Sequence, residues 1–219
     1  MVERRLSQMR IAILASDGFE EAELVESRTA LEHAGTETKV VSLKRGTIRG
    51  MKHDKEAGTV RADLALDEAN PDDFAGVLLP GGALNADTLR VEPKAQEFVR
   101  SIDSARKPIA VICHAPWLLV SAGLVNGRNL TSFHTIQDDI RNAGGHWTDE
   151  PVVVDRNWVS SRQPDDIPAF NREMISLFAN HGADADESAD ESTSSESLGG
   201  HYSGRSMRTI SLRECAIPE

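Results

Sequence analysis

The sequence has few cysteines, no long apolar run and no obvious metal motif. Its two cysteines, Cys113 and Cys215, are too few for a disulfide framework. The seven histidines lack the paired spacing of a metal site, so we expect no metal and no cofactor. The longest nearly apolar segment, APWLLVSAGLV, is far shorter than the roughly 20 residues of a membrane-spanning helix, and the first residues lack the apolar stretch of a secretory signal. We expect a soluble cytoplasmic protein that does not bind membranes.

Basic residues are also scarce. The chain of 219 residues has 24 Lys and Arg against 35 Asp and Glu, for a formal net charge of −11. A nucleic-acid-binding surface needs clustered positive charge to neutralise phosphates, so we expect neither DNA nor RNA as a partner. The hydrophobic share of 39% is ordinary for a globular protein and is enough for one core.

The composition changes abruptly near residue 182. Residues 184–197 are almost entirely Asp, Glu, Ser, Ala and Thr. Such a segment cannot bury enough apolar surface to offset its ordering entropy. We therefore predict one domain over residues 1–181 and a disordered, acidic C-terminal tail over residues 182–219. The tail is either a solvated extension or an interaction segment.

Short apolar runs alternate with helical patterns through the predicted domain. Four runs are typical of strands buried on both faces: RIAILA (10–15), TKVVSL (38–43), AGVLL (75–79) and PIAVI (108–112). A helix is clearest where Ala95, Phe98, Val99 and Ile102 follow an i, i+3, i+4, i+7 spacing. This alternation predicts an α/β fold: a flavodoxin-like, doubly wound, mostly parallel sheet with helices on both faces.

The most informative segment is PIAVICHAPWLL, residues 108–119. A buried strand ends at Cys113 and a helix begins within a residue or two, which is where open α/β sheets bind ligands. The start of a helix lowers the pKa of a thiol, so Cys113 is a candidate nucleophile and His114 a candidate proton carrier. The same pattern also fits a buried structural cysteine beside a surface histidine.

Gly81 and Gly82 follow the third strand. Glycines let the backbone approach a substrate and turn N–H groups inward, as an oxyanion hole requires. The two glycines also fit an ordinary turn. They are candidates for an oxyanion hole because we expect the Cys113 strand in the same sheet, where the N–H groups and the thiolate converge.

Acidic residues cluster after the first strand. Glu20, Glu21 and Glu23 fit the N-terminal turn of a helix, where they complement the helix dipole. If that helix packs beneath the strand ends, Glu23 reaches the thiol and, when protonated, donates a hydrogen bond to it.

Four motifs in a fixed order resemble one known family: SDGFEEAEL, LPGGALNADTLR, AVICHAPW and SSRQPDDIPAF. They are similar to the PfpI family of intracellular proteases and general stress proteins. That family lies within the class I glutamine amidotransferase-like superfamily, which includes the Parkinson-associated deglycase. The resemblance covers residues 10 to 181. It implies a cysteine-dependent hydrolase that acts on a small peptide or on a dicarbonyl or glycated adduct.

The resemblance also implies roles for individual residues. Cys113 matches the nucleophile, His114 the histidine that follows it in the protease-like branch, and Glu23 the buried acid bonded to the thiol. Gly81 and Gly82 match the oxyanion glycines, which act together with the backbone N–H of His114.

Two further residues are implied at the edge of the site. Asp87 falls near the position from which a neighbouring subunit supplies an acid that orients the histidine, which implies a homodimer or hexamer. His134 is similar to a histidine that lines the pocket in the deglycase-like branch.

The sequence leaves three functions open besides the protease-like hydrolase. The same thiolate suits a cofactor-free glyoxalase or protein deglycase that acts on methylglyoxal or its adducts. It also suits a non-enzymatic stress sensor in which Cys113 is oxidised to a sulfinic acid. A binding domain without chemistry is the remaining alternative.

Overall fold

The structure is a computed structural model that describes residues 6, 7 and 9–195, with side chains as far as residue 181. Its strands are β1 Arg10–Leu14, β2 Phe19–Glu20, β3 Glu37–Ser42, β4 Gly46–Lys52, β5 Lys55–Ala62, β6 Leu64–Ala65, β7 Gly76–Leu79, β8 Ile109–Ile112, β9 Asn129–Leu130, β10 His146–Trp147, β11 Val152–Asp155 and β12 Trp158–Ser161. Its α-helices are α1 Glu21–His33, α2 Ala83–Arg90, α3 Pro93–Ser104, α4 Pro116–Ser121, α5 Gln137–Asn142 and α6 Ile167–Ser195.

A seven-stranded sheet forms the centre, in the order β11-β12-β8-β7-β1-β3-β6. Every neighbouring pair from β12 to β6 is parallel, and only β11 runs antiparallel, against β12. The inner strands β7, β8 and β12 are buried at every position, as strands covered on both faces must be. The predicted doubly wound, mostly parallel α/β sheet is confirmed.

Helices cover both faces of this sheet. Successive strand residues point to opposite sides, so a strand of consecutive apolar residues presents an apolar surface on each face. Val77 and Leu79 of β7 pack in one core cluster with the apolar side chains of α3 and α4. Leu78 of the same strand packs in the other cluster, with the apolar side chains of α1 and α6. Because β1, β7, β8 and β12 are parallel, their carboxyl ends lie at the same edge of the sheet, between these helical layers.

The sequence missed helix α2. The helix buries the polar Asn85 together with Ala86 and Leu89, whereas Leu84 is 62% exposed. A hydrophobic stripe therefore does not mark its inner face. Strands β2, β6 and β10 were also missed, since each has only two residues.

The last helix, α6, continues to Ser195, although the sequence predicts disorder from residue 182. A helix that is already formed extends into the following residues without a new nucleation cost, although only five of the 14 residues from 182 to 195 are the strong helix formers Ala and Glu. The compact unit that contains the sheet ends at Ala185. The rest of the predicted tail, including Cys215, lies outside the described residues, and the domain boundary at 181 stays a prediction.

Candidate active site

Cys113 lies on a sharp turn directly after β8. Its φ of +62° is in the left-handed region, which costs a non-glycine residue about 1–2 kcal/mol. Two backbone bonds hold the turn: the Cys113 N–H donates to the Ser161 carbonyl at 3.1 Å, and the Cys113 carbonyl accepts from the Phe133 N–H at 2.9 Å. Strain of this kind concentrates at functional sites, where the surrounding structure enforces it.

A cavity of about 340 Å³ opens over this turn. Cys113 is 7% exposed, so its side chain is neither at the surface nor sealed in the core. The walls come from the loop after β1, the start of α1, the turn between β4 and β5, the loop after β7 and the loop after β12. The lining residues are Gly18, Glu20, Glu23, Met51, His53, Gly82, Ala83, Leu84, Cys113, His114, Phe133, Gln163, Pro164 and Asp165.

Gly81 is a position of close approach. A Cβ atom there would lie 2.6 Å from the Cys113 Cβ and 2.6 Å from Glu23 Oε2, so no larger residue fits without displacing the site. The Gly81 N–H donates to Glu23 Oε2 at 2.7 Å. Of the two predicted oxyanion glycines, Gly81 therefore uses its N–H to bond Glu23, and this N–H is not free to bond a substrate oxygen.

The Gly82 N–H is the amide that turns toward the sulfur. The Gly81 carbonyl accepts from the Glu20 N–H at 3.2 Å and from the Asn85 side chain at 3.0 Å. In a trans peptide the next N–H points the opposite way. Hydrogen bonding by the backbone N–H groups of Gly82 and His114 lowers the pKa of the Cys113 thiol.

Asn85 fixes this turn, and the sequence did not indicate it. Its side-chain amide donates to the carbonyls of Pro80 at 2.9 Å and Gly81 at 3.0 Å. Its Oδ1 atom accepts from the backbone N–H of Ser16 at 2.7 Å and from the Ser16 hydroxyl at 3.1 Å. Asn85 therefore joins the glycine turn to the end of β1.

Glu23 and Cys113 form a coupled buried pair. Burial raises the pKa of Glu23 to about 8, against the lowering effect of its bonds to Gly81 and Cys113. Burial also raises the pKa of the Cys113 thiol, and a negative charge on Glu23 raises it further. The sequence predicted a lowered thiol pKa because it considered the amide dipoles without this desolvation. It follows that the thiolate forms more readily while Glu23 keeps its proton.

His114 contacts the thiol directly. Its Nδ1 atom lies 3.1 Å from Cys113 Sγ, and its Nε2 atom lies 3.3 Å from Thr135 Oγ1. The ring stacks on Phe133, with centroids 4.8 Å apart. Burial lowers the pKa of His114, and the nearby charge of His134 lowers it further, so the imidazole is neutral at pH 7.

Asp87 and His134 lie outside this arrangement. Asp87 is exposed on α2, and within the described part of the chain no hydrogen bond joins it to His114. The ring of His134 lies 4.5 Å from that of Phe133, and Phe133 is the one that lines the cavity. Their predicted roles stay predictions.

The cavity wall also includes Glu20, which the sequence assigned only to the start of a helix, and His53, which the sequence did not single out. Glu20 is 7% exposed, and its Oε2 atom accepts the backbone N–H of His53 at 3.0 Å. His53 belongs to the turn between β4 and β5, a segment whose sequence pattern is weak. Over the described residues, the side chains form no cluster suited to a metal ion, and the described helices include none that could cross a membrane.

Comparison with known proteins gives a consistent result. The profile of the DJ-1/PfpI family matches residues 9–177. The chain is 46% identical over 170 residues to a deglycase of Pyrococcus abyssi, which covers 78% of this chain and 99% of that one. It is 39% identical to "Protein/nucleic acid deglycase 2" of Escherichia coli, over 77% of this chain and 97% of that one. It is 36% identical to "Putative cysteine protease YraA" of Bacillus subtilis, over 77% and 98%.

Solved structures agree with the fold. A two-domain protein of Anabaena variabilis, with DJ-1/ThiJ/PfpI-like and ferritin-like domains, matches with a TM-score of 0.75 and 31% identity. The match covers 80% of this chain and 50% of that longer one. DJ-1β of Drosophila melanogaster matches with a TM-score of 0.71 and 24% identity, over 83% of this chain and 97% of that one. The latter similarity is one of fold alone.

Proposed function

The chain belongs to the DJ-1/PfpI family, and on that premise we propose that it is a cysteine-dependent hydrolase that removes dicarbonyl adducts, a protein deglycase. One observation carries the proposal: the Cys113 sulfur lies 3.1 Å from His114 Nδ1, in a cavity that Gly82 also lines. A nucleophile, a base and candidate oxyanion donors are thus close together where two strand-end turns meet.

The proposed reaction begins with attack of Cys113 on a carbonyl carbon. An S–C bond forms, the thiol proton passes to His114 Nδ1, and the N–H groups of Gly82 and His114 stabilise the charge on the carbonyl oxygen. With free methylglyoxal this step gives a hemithioacetal. With its adduct on an amine, the S–C bond replaces the C–N bond at the carbinol carbon, and the amine leaves with the proton held by His114. The hemithioacetal then isomerises through an enediol to a thioester, and water hydrolyses the thioester to lactate and releases Cys113. With an amide, the departing amine takes the proton from His114, and water then releases Cys113. Glu23 stays protonated and supports the thiolate.

The relatives favour the deglycase over the peptidase. Relatives with that name are 39–46% identical to this chain and match it over nearly their whole length. A cavity of about 340 Å³ also suits a small adduct held near the sulfur.

A peptidase is the second candidate, and one observation favours it. A neighbouring cavity of about 320 Å³ shares Glu20, His53 and Pro164 with the first, which provides room for an extended chain beside the sulfur. The relative named as a cysteine protease is consistent with it.

Self-association is a further part of the proposal. Leu84 and Val91 are 62% and 72% exposed, and Asp87 lies between them on α2. These residues form an exposed apolar stripe with one charge, which suits contact with a second copy of the chain. In a homodimer or hexamer, Asp87 of one copy would face His114 of the neighbour. Dilution below the dissociation constant of the assembly is expected to reduce turnover. An Asp87→Asn variant that behaves as wild type at every concentration contradicts this role.

The function is tested by incubating the protein with methylglyoxal-modified N-acetyl-lysine and, separately, with fluorogenic peptides. We expect adduct removal by wild type and at least about a thousandfold loss in Cys113→Ala and His114→Gln. His146→Gln is the matched control, because His146 is exposed and outside the cavity. Peptide cleavage without adduct removal selects the peptidase. Equal activity in Cys113→Ala excludes both.

A further inference from the structure

His114 is held at both ring nitrogens by residues of its own chain. Nδ1 lies 3.1 Å from Cys113 Sγ, and Nε2 lies 3.3 Å from the hydroxyl oxygen of Thr135. We propose that Thr135 is the positioning residue within the same chain that aligns His114 for proton transfer with Cys113. This inference rests on the proposed roles of Cys113 and His114.

The segment that carries Thr135 is anchored to the nucleophile turn. Phe133 donates its backbone N–H to the Cys113 carbonyl at 2.9 Å, and its carbonyl accepts the N–H of Ile136 at 3.2 Å. Thr135 lies between them, in the 3-10 turn His134–Ile136. The backbone of Thr135 is therefore held in place relative to Cys113.

The imidazole ring has little freedom against this segment. Its face stacks on Phe133 with an interplanar angle of 29°, and the Trp117 ring lies 5.5 Å away. With the ring plane set by stacking, the contacts with Cys113 and Thr135 distinguish the observed orientation from the flipped ring, which would place the carbon atoms Cδ2 and Cε1 at these two partners.

A hydroxyl suits a proton carrier because it both donates and accepts. When Nδ1 is free to take the thiol proton, Nε2–H donates to Thr135 Oγ1. When Nδ1 carries the proton in a neutral ring, the hydroxyl turns and donates to Nε2. A carboxylate in this place would only accept, and it would stabilise the charged imidazolium. Thr135 therefore orients His114 and leaves it neutral, in accord with the lowered pKa of His114.

Paired substitutions at Thr135 separate the hydroxyl from the methyl group. Thr135→Val keeps the shape and removes the hydroxyl, whereas Thr135→Ser keeps the hydroxyl. Thr135 is exposed, so both variants should fold. We expect Thr135→Val to lower kcat for adduct removal about tenfold or more with KM nearly unchanged, and Thr135→Ser to stay within about threefold of wild type.

A second readout does not depend on turnover. The ¹⁵N shifts of the His114 ring report which nitrogen carries the proton, and we expect Thr135→Val to change the tautomer ratio while Thr135→Ser does not. If wild type shows no turnover, the proposed function fails, and the ring spectra still decide the role of Thr135.

Three results would overturn the inference. Thr135→Val could match wild type in both kcat and ring spectra. Thr135→Ser could lose as much as Thr135→Val, which would assign the effect to packing. Asp87→Asn could lower kcat in the assembled protein while Thr135→Val does not, which would assign the orienting group to a second copy.

Discussion

The Glu23 carboxyl accepts the backbone N–H of Gly81 at 2.7 Å, across 58 residues of sequence. This bond joins α1 to the glycine turn after β7 and holds the acid beneath the Cys113 turn. The other carboxyl oxygen, Oε1, has no hydrogen-bond partner of standard geometry in the part of the chain described. We assign to Oε1 the proton that Glu23 retains, because Oε2 accepts the N–H of Gly81.

Glu23 is expected to make stability depend on pH. Its pKa is about 8 in the folded chain against an ordinary 4.5, so between these values the unfolded chain has released a proton that the folded chain keeps. The free energy of unfolding should therefore fall as the pH rises through this window, by at most about 1.4 kcal/mol per pH unit, and the Glu23 contribution should be constant above it.

Urea unfolding of wild type and Glu23→Gln across this window measures the effect. The variant should lose the slope and become the more stable protein at the alkaline end. Glu26→Gln, an exposed change on the same helix, is the control. Parallel curves for wild type and Glu23→Gln would contradict the raised pKa.

Removing the Glu23 charge should also make the thiol easier to ionise. Because a negative charge on Glu23 raises the pKa of Cys113, Glu23→Gln is expected to move the midpoint of iodoacetamide alkylation to lower pH. The measurement is the alkylation rate against pH, followed by intact mass, with Glu26→Gln unchanged. A midpoint that moves upward would mean that Glu23 assists ionisation more than it opposes it.

Gly81→Ala should disrupt the site by crowding. The added Cβ would meet the Cys113 Cβ, Glu23 Oε2 and, at 2.9 Å, the Ile112 carbonyl. We expect a loss of about 1–3 kcal/mol in stability, as for overpacked cores, and loss of adduct removal.

The control for this change is Gly123→Ala. Gly123 has a φ of +75° and no atom within 4 Å of an added Cβ, so only backbone strain of about 1 kcal/mol is expected, with activity intact. Thermal unfolding and turnover together test the pair. Equal loss of activity in both variants would refute a steric role for Gly81.

Asn85→Ala should impair turnover more than binding. It removes the donor to the Pro80 and Gly81 carbonyls, so the Gly82 N–H loses its fixed direction. We expect kcat to fall about ten- to a hundredfold, which is less than the roughly hundred- to thousandfold loss caused by removing an oxyanion donor outright, because the Gly82 N–H is still present. Ser27→Ala is the control, because the Ser27 hydroxyl is buried with no hydrogen-bond partner among the described residues. Unchanged kcat in a folded Asn85→Ala protein would exclude this role.

Asp103 should affect stability without affecting chemistry. Its Oδ1 atom accepts from Arg128 and the Trp158 indole, both at 2.7 Å, near the amino-terminal ends of β8 and β12. Asp103→Ala leaves the buried Arg128 charge without its main partner, which should cost about 3 kcal/mol. Glu68→Ala, which breaks an exposed pair with Arg45, should cost less than about 1 kcal/mol. A fall in kcat at temperatures where Asp103→Ala is folded would contradict the expectation that the amino-terminal ends of the strands do not affect the chemistry at their carboxyl ends.

Much of the scaffold was predictable because its signals are local. Strands buried on both faces are continuous apolar runs, and α3 has a clear apolar stripe. The position of Cys113 at a strand end followed from the same pattern. Helix α2 was not predictable, since burial of Asn85 and exposure of Leu84 depend on what surrounds them.

The sequence by itself determined the class of fold, the strand that ends at Cys113, and the nucleophile, acid and glycine turn as candidates. Only the tertiary structure decided how they are coupled. It buried Glu23 enough to raise its pKa, committed the Gly81 N–H to that acid, turned Gly82 toward the sulfur through Asn85, and placed Thr135 at His114. The physical reason is that desolvation and hydrogen-bond direction depend on groups from distant segments, which no local pattern of residues specifies.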